Sequence, residues 1–178
     1  KVINIIQHFP NKEKKKLNLG FDNNCNVEVA VVDGVFMAIR KDNRIKFNVN
    51  FKGFHKYDLN LSFETFKYGY KIIVTNNILI EHLSRGTINK SWYLSTIEIH
   101  EIYKKYLPIL IDFNKTNKNL NSLEFSNGAR FVIQLLNFDF VNKAFVIWIK
   151  LIFIKPFSKF HLKFLNLLLH KIGSFFFI

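Results

Sequence analysis

Two short segments carry the residue types that do chemistry. Gly53-Phe54-His55-Lys56-Tyr57-Asp58-Leu59-Asn60-Leu61 sets an imidazole, a phenol and a carboxylate close together, and Ile80-Glu81-His82-Leu83-Ser84-Arg85-Gly86 adds a second imidazole followed by a hydroxyl, a guanidinium and a glycine. A positioned carboxylate can take the proton of an attacking hydroxyl as the new bond forms. An imidazole can complete the sphere of a Mn²⁺-like ion or contact a diphosphate. Ser84, Arg85 and Gly86 together suit a phosphate, through a hydroxyl, a fork of N–H donors and a flexible backbone. Each residue also has a plainer reading. Asp58 can be an ordinary helix N-cap, His55 and His82 structural histidines, Arg85 a solvated charge, and Asp33-Gly34 a simple turn.

The elements that must position these groups follow from the apolar pattern. Residues 11 to 26 are polar and rich in Lys and Asn, with Gly20 and Asp22 as turn formers, so they read as a surface loop. Val27 to Val32 is a β-branched run, ended by Asp33-Gly34 before a second apolar run, Val35 to Ile39; the two predict two buried strands or one bent strand. Leu59, Phe63 and Phe66 recur at helical spacing, and Gly69 stops the pattern, which puts Asp58 in the first turn of a helix. A strand over Lys71 to Val74, a turn at Asn76-Asn77 and a strand over Ile78 to Ile80 then deliver His82 at a strand end. Residues 91 to 107 predict a helix with a stripe of Trp92, Ile99, Ile102, Tyr103 and Tyr106, ended by Pro108.

The chain has 178 residues, 49% of them hydrophobic, enough to bury one good core. Its single cysteine, Cys25, forms no internal disulfide, and the opening residues lack a signal-peptide pattern, so a reduced, cytoplasmic setting is expected. The net charge of +13 would attract polyanions: nucleic acid, anionic headgroups or phosphorylated small molecules. The same richness in Lys, Asn, Ile and Phe also fits an AT-rich coding sequence and a solvated surface. From about residue 113 the character changes. An Asn- and Lys-rich linker runs to Asn121, and the segment beyond Asp139 holds six lysines, two histidines and no acid. Lysines and Pro156 interrupt its apolar runs before they reach the roughly 18 residues of a spanning helix. A basic, aromatic-rich pair of helices on the inner face of an anionic membrane and a pair packed on the domain or on a partner are both open readings.

The string from Val29 to Ala38, followed by Gly53 to Leu61, Gly69-Tyr70, His82 to Gly86 and Trp92, resembles the prokaryotic family-two-like glycosyltransferases of capsule and surface polysaccharide synthesis, in order and spacing over roughly residues 27 to 108. The resemblance implies an α/β fold: a partial GT-A, Rossmann-like nucleotide-diphospho-sugar transferase, with residues 1–112 as its C-terminal, acceptor-side portion and 113–178 as a linker and basic helical extension. It implies a nucleotide-sugar donor, a glycan or lipid-linked acceptor, and Asp58 as general base in an inverting transfer. By the same resemblance His82 is a late metal or diphosphate ligand, with Mn²⁺ or Mg²⁺ as cofactor. Asp33, Gly34, His55, Tyr57, Ser84, Arg85 and Gly86 contact substrate, Asp33-Gly34 from the cleft floor between two strands.

The string departs from the family at Asn60, where a second acid is usual, and at Asn48-Val49, where an acidic pair is usual. Residues 1 to 26 hold no metal-binding Asp-x-Asp, so the chain is expected to be either a C-terminal fragment or a degraded copy that keeps the acceptor half and lacks the donor half. No Gly-rich phosphate loop, CxxC, HExxH or GxSxG is present, which leaves P-loop, metalloprotease and serine-hydrolase readings without support. The rival reading is a non-catalytic basic module that binds anionic lipid or nucleic acid through Lys155-Pro156-Phe157-Ser158-Lys159-Phe160. Under the transferase reading, nucleic acid is not an expected partner.

Overall fold

A computed structural model describes residues 1–10, 13–49, 51, 55–83, 86, 88–111 and 120–176, the last three by backbone alone. The chain divides into two compact units, Lys1–Ile111 and Asp112–Ile178.

In the first unit the β-branched run Ile3–His8 forms β1, the centre of a three-stranded sheet. β2 (Lys14–Leu19) pairs with it antiparallel, Ile3 facing Leu19 and His8 facing Lys14. β2 therefore occupies part of the stretch expected as a loop. Lys14, Lys15 and Lys16 are exposed and line an edge strand, where lysines discourage pairing with other chains and where their charge hides the strand from a hydrophobic reading. β3 (Asn26–Val29) and β4 (Ile72–Thr75) form a separate antiparallel pair. β5 (Ile80–His82) lies parallel to β1 on its other side, with Ile5 opposite Ile80 and Gln7 opposite His82. Of the parallel sheet that a Rossmann-like fold implies, this one parallel pair is present among the described residues. The fold class is mixed α/β.

The second strand expected over Val35–Ile39 is absent: the run is irregular, with Phe36 and Ile39 exposed. Its neighbours' backbone donors go elsewhere. Val32 N–H donates to Ser62 Oγ (3.3 Å) and Gly34 N–H to Asp58 Oδ2 (3.1 Å), so helix side chains replace a ladder partner.

α1 (Tyr57–Lys67) matches the expected helix; Lys56 enters it at φ +69° and Gly69 leaves it at φ +76°, donating to Phe66 C=O. α2 (Lys90–Tyr103) is capped by Asn89, whose Oδ1 accepts from Trp92 N–H (3.1 Å), and tightens into a 3₁₀ turn over Lys104–Tyr106. Of the expected stripe, Ile99 and Tyr103 are buried while Ile102 is exposed; they form a core with Phe51 and Phe63. Asn60 is buried there and satisfied, accepting from Asn48 N–H (2.9 Å) and donating to Tyr103 Oη (3.2 Å).

The second unit holds α3 (Leu120–Asn137), α4 (Val141–Ile154) and α5 (Phe160–Phe176). Val132, Leu135, Ala144, Trp148, Leu151 and Phe164 are its buried centre. Trp148 stacks on Phe164 with centroids 5.1 Å apart and donates from Nε1 to His161 Nδ1 (3.1 Å), while His161 Nε2 donates to Lys155 C=O (2.8 Å). Among the described residues no helix is long and apolar enough to cross a membrane.

Candidate functional site

The first turn of α1 is tied to the loop after β3. Asp58 Oδ1 accepts from Leu59 N–H (2.8 Å) and Oδ2 from Gly34 N–H, while the Tyr57 hydroxyl donates to Gly34 C=O (3.2 Å). A Cβ at position 34 would collide with the ring and hydroxyl of Tyr57, so this close approach requires glycine. Ser62 completes the tie, donating to Asp58 C=O (2.8 Å) while accepting from Val32 N–H. A half-buried carboxylate is thus fixed in orientation, with lone pairs left for a further donor.

Lys56 belongs to the same cluster. Its ammonium sits 3.4 Å from the Trp92 ring centroid, a cation–π contact. Burial lowers the Lys56 pKa, against the opposing pull of Asp58 and Asp33. The sequence reading passed over Lys56, because a lysine in a basic chain carries no signal until a ring and two carboxylates surround it. His55, next to it, is half-buried.

His82 ends β5 as expected. Gln7 Nε2 donates to the carbonyls of His8 (2.8 Å) and His82 (3.2 Å), which turns Gln7 Oε1 toward His82 Nδ1 at 2.9 Å. An amide oxygen only accepts, so Nδ1 carries the proton and, in the neutral ring, Nε2 keeps its lone pair for a ligand. Gln7 is the second residue the sequence reading did not find.

A cleft of ≈ 920 Å³ runs over the β1–β5 sheet, walled by residues of β4, α1 and the loop after β3. Asp33, Gln7 and His82 are among the residues that line it, and Gln7 and His82 are bonded to each other. Asp58 and Gly34 are not among its lining residues, so Asp58 and His82 do not share this cleft. The Asp33–Gly34 loop divides them: Asp33 lines the cleft, while Gly34 is bonded to Asp58. Gly86 is exposed at φ +66°, and Ser84 and Arg85 lie outside the described residues.

At the cleft rim, Asp42 accepts from Arg44 (2.7 Å) and from the Tyr70 hydroxyl (2.5 Å). The Arg44 hydrogen bonds, then that of Tyr70, hold the Asp42 carboxyl well below the usual carboxylate range. Among the described residues no group of three or more His, Cys, Asp or Glu is placed to hold a metal ion. His82 alone does not build a site for the expected Mn²⁺ or Mg²⁺.

Residues 2–112 match the family model described as Glycosyltransferase like family, a span that holds every residue of this site. No curated protein and no solved structure matches the chain.

Proposed function

Because the chain belongs to the glycosyltransferase-like family, we propose that it transfers a sugar from a nucleotide-sugar donor to a glycan or lipid-linked acceptor, with inversion, in surface polysaccharide synthesis. The observation that carries the transferase part of this reading is the family match over residues 2–112, and the acceptor, the inversion and the surface-polysaccharide role extend it from the motif resemblance. Asp58 is the general base. The acceptor oxygen attacks the anomeric carbon, its proton passes to the Asp58 carboxylate, and the bond from that carbon to the nucleotide diphosphate breaks with its electron pair on the departing oxygen.

The donor takes the cleft of Asp33 and His82, and the acceptor approaches over the first turn of α1. Donor and acceptor meet at the Asp33–Gly34 loop: Asp33 lines the cleft and holds sugar hydroxyls, Gly34, the next residue, fixes Asp58, and the donor's anomeric carbon reaches over this loop to the acceptor hydroxyl at Asp58. Tyr57 buttresses this loop, and His55 contacts the acceptor. His82 Nε2 and the Ser84-Arg85-Gly86 segment receive the diphosphate. The chemistry of these side chains supports each role, and no step is assigned to a metal ion, for which the described residues supply too few donors.

Isothermal titration with UDP- and GDP-sugars, with and without Mn²⁺, tests the reading. Binding of a nucleotide sugar, weakened about tenfold in His82→Ala by loss of one hydrogen bond to a charged group, is the expected result. Absence of binding by every nucleotide and nucleotide sugar, with and without Mn²⁺, overturns it.

A further inference from the structure

Beyond the transferase site, and independent of it, the second unit exposes large apolar side chains set among lysines. The inner face of α4 is spent on Ala144, Trp148 and Leu151. Its outer face carries Val146, Ile149 and Phe153, spaced i, i+3, i+7 and therefore on one side of the helix, with Phe153 84% exposed. The connection to α5 presents Phe157, 99% exposed, and α5 adds Leu162 and Leu169, exposed by 69% and 65%. Lys150, Lys155, Lys159 and Lys163 are exposed among these side chains. No acid occurs between residues 140 and 178.

We propose that the outer face of α4 and the connection that follows it dock on an anionic lipid bilayer, with Phe153 and Phe157 entering the acyl boundary and the lysines meeting the headgroups. Large apolar side chains this exposed are stabilised by an apolar medium, and the lysines set the sign of the surface that offers one. Aliphatic Val146, Ile149, Leu162 and Leu169 have no part in stacking on bases, which favours lipid over nucleic acid. A second copy would bring the same lysines face to face, so like charge opposes self-association. Among the described residues no helix is long and apolar enough to cross a membrane, and the proposed surface rests in the interface.

Co-sedimentation of the full chain with vesicles tests this. Vesicles of phosphatidylcholine mixed with phosphatidylglycerol are expected to bind the protein at least about tenfold more tightly than phosphatidylcholine alone, from about 1 kcal/mol for each lysine at the surface. Raising NaCl from about 0.05 to about 0.5 M is expected to release the protein. The double variant F153S/F157S is expected to lose at least about tenfold in partitioning for the apolar area removed. Its helical circular dichroism and unfolding midpoint are expected to match the parent, since both rings are solvent-exposed. Equal binding to neutral vesicles, undiminished anionic-vesicle binding by F153S/F157S, displacement from vesicles by a single-stranded oligonucleotide, or a dimer that F153S/F157S dissolves would each overturn the proposal.

Discussion

Gly34 and Asp58 show how much of this site rests on single backbone donors. Gly34→Ala must displace the Tyr57 ring or pull the loop from Asp58. A loss of about 1–3 kcal/mol is expected from such a forced contact, read as a lower urea midpoint at unchanged slope. Asp42 gives a pH signature. Its unfolded carboxyl titrates near 3.8 and its folded one well below, so its contribution is complete above that value and is lost as pH falls through it toward the folded pKa. The Asp42→Asn variant is therefore expected to unfold with a flatter acid limb below about pH 4 in urea titrations, and an unchanged limb would refute the pairing. Asp58, His82 and Gly34 stand out as candidates in the sequence because their types and order are those of a chemical motif. Gln7 was not, since it sits 75 residues from His82 and only the pairing of β1 with β5 joins them.

At the scale of elements, legibility followed local signals. α1 was readable from its apolar spacing and the glycine that stops it, and β4 from a short β-branched run, while β5 (Ile80–His82) begins where the strand expected over Ile78–Ile80 was to end. Two readings failed for physical reasons. β2 is an edge strand written in lysines, and its pairing with β1 is a tertiary fact. The apolar run Val35–Ile39 has strand propensity, but the backbone before it is held by Ser62 and Asp58, so tertiary contacts overrode propensity. α3 begins where an Asn-rich linker was expected to end, and its buried face of Phe125, Val132, Leu135 and Leu136 needs α4 and α5 to give it meaning. The α2 cap can be tested directly. Asn89→Ala removes the acceptor for Trp92 N–H, and a loss of about 1 kcal/mol in a urea titration is expected.

For the whole molecule, two units each carry their own core, around Ile99 and Tyr103 in one and Leu135, Trp148 and Phe164 in the other. Ile99 and Leu135 are both 0% exposed, so Ile99→Ala and Leu135→Ala are each expected to cost about 2–5 kcal/mol. Calorimetry is expected to show each variant lowering a different transition, and a single transition moved equally by both would contradict separate cores. The family match covers the first unit, so the transferase reading stands or falls there. The measurement that tests it most directly is sugar turnover from a panel of UDP- and GDP-sugars by the full chain and by Asp58→Asn. Turnover by the parent, reduced about 10²–10⁴-fold in Asp58→Asn with nucleotide-sugar binding retained, is the predicted result. Equal turnover by parent and variant would contradict the role given to that carboxylate, and no turnover with any donor would contradict the transferase reading itself.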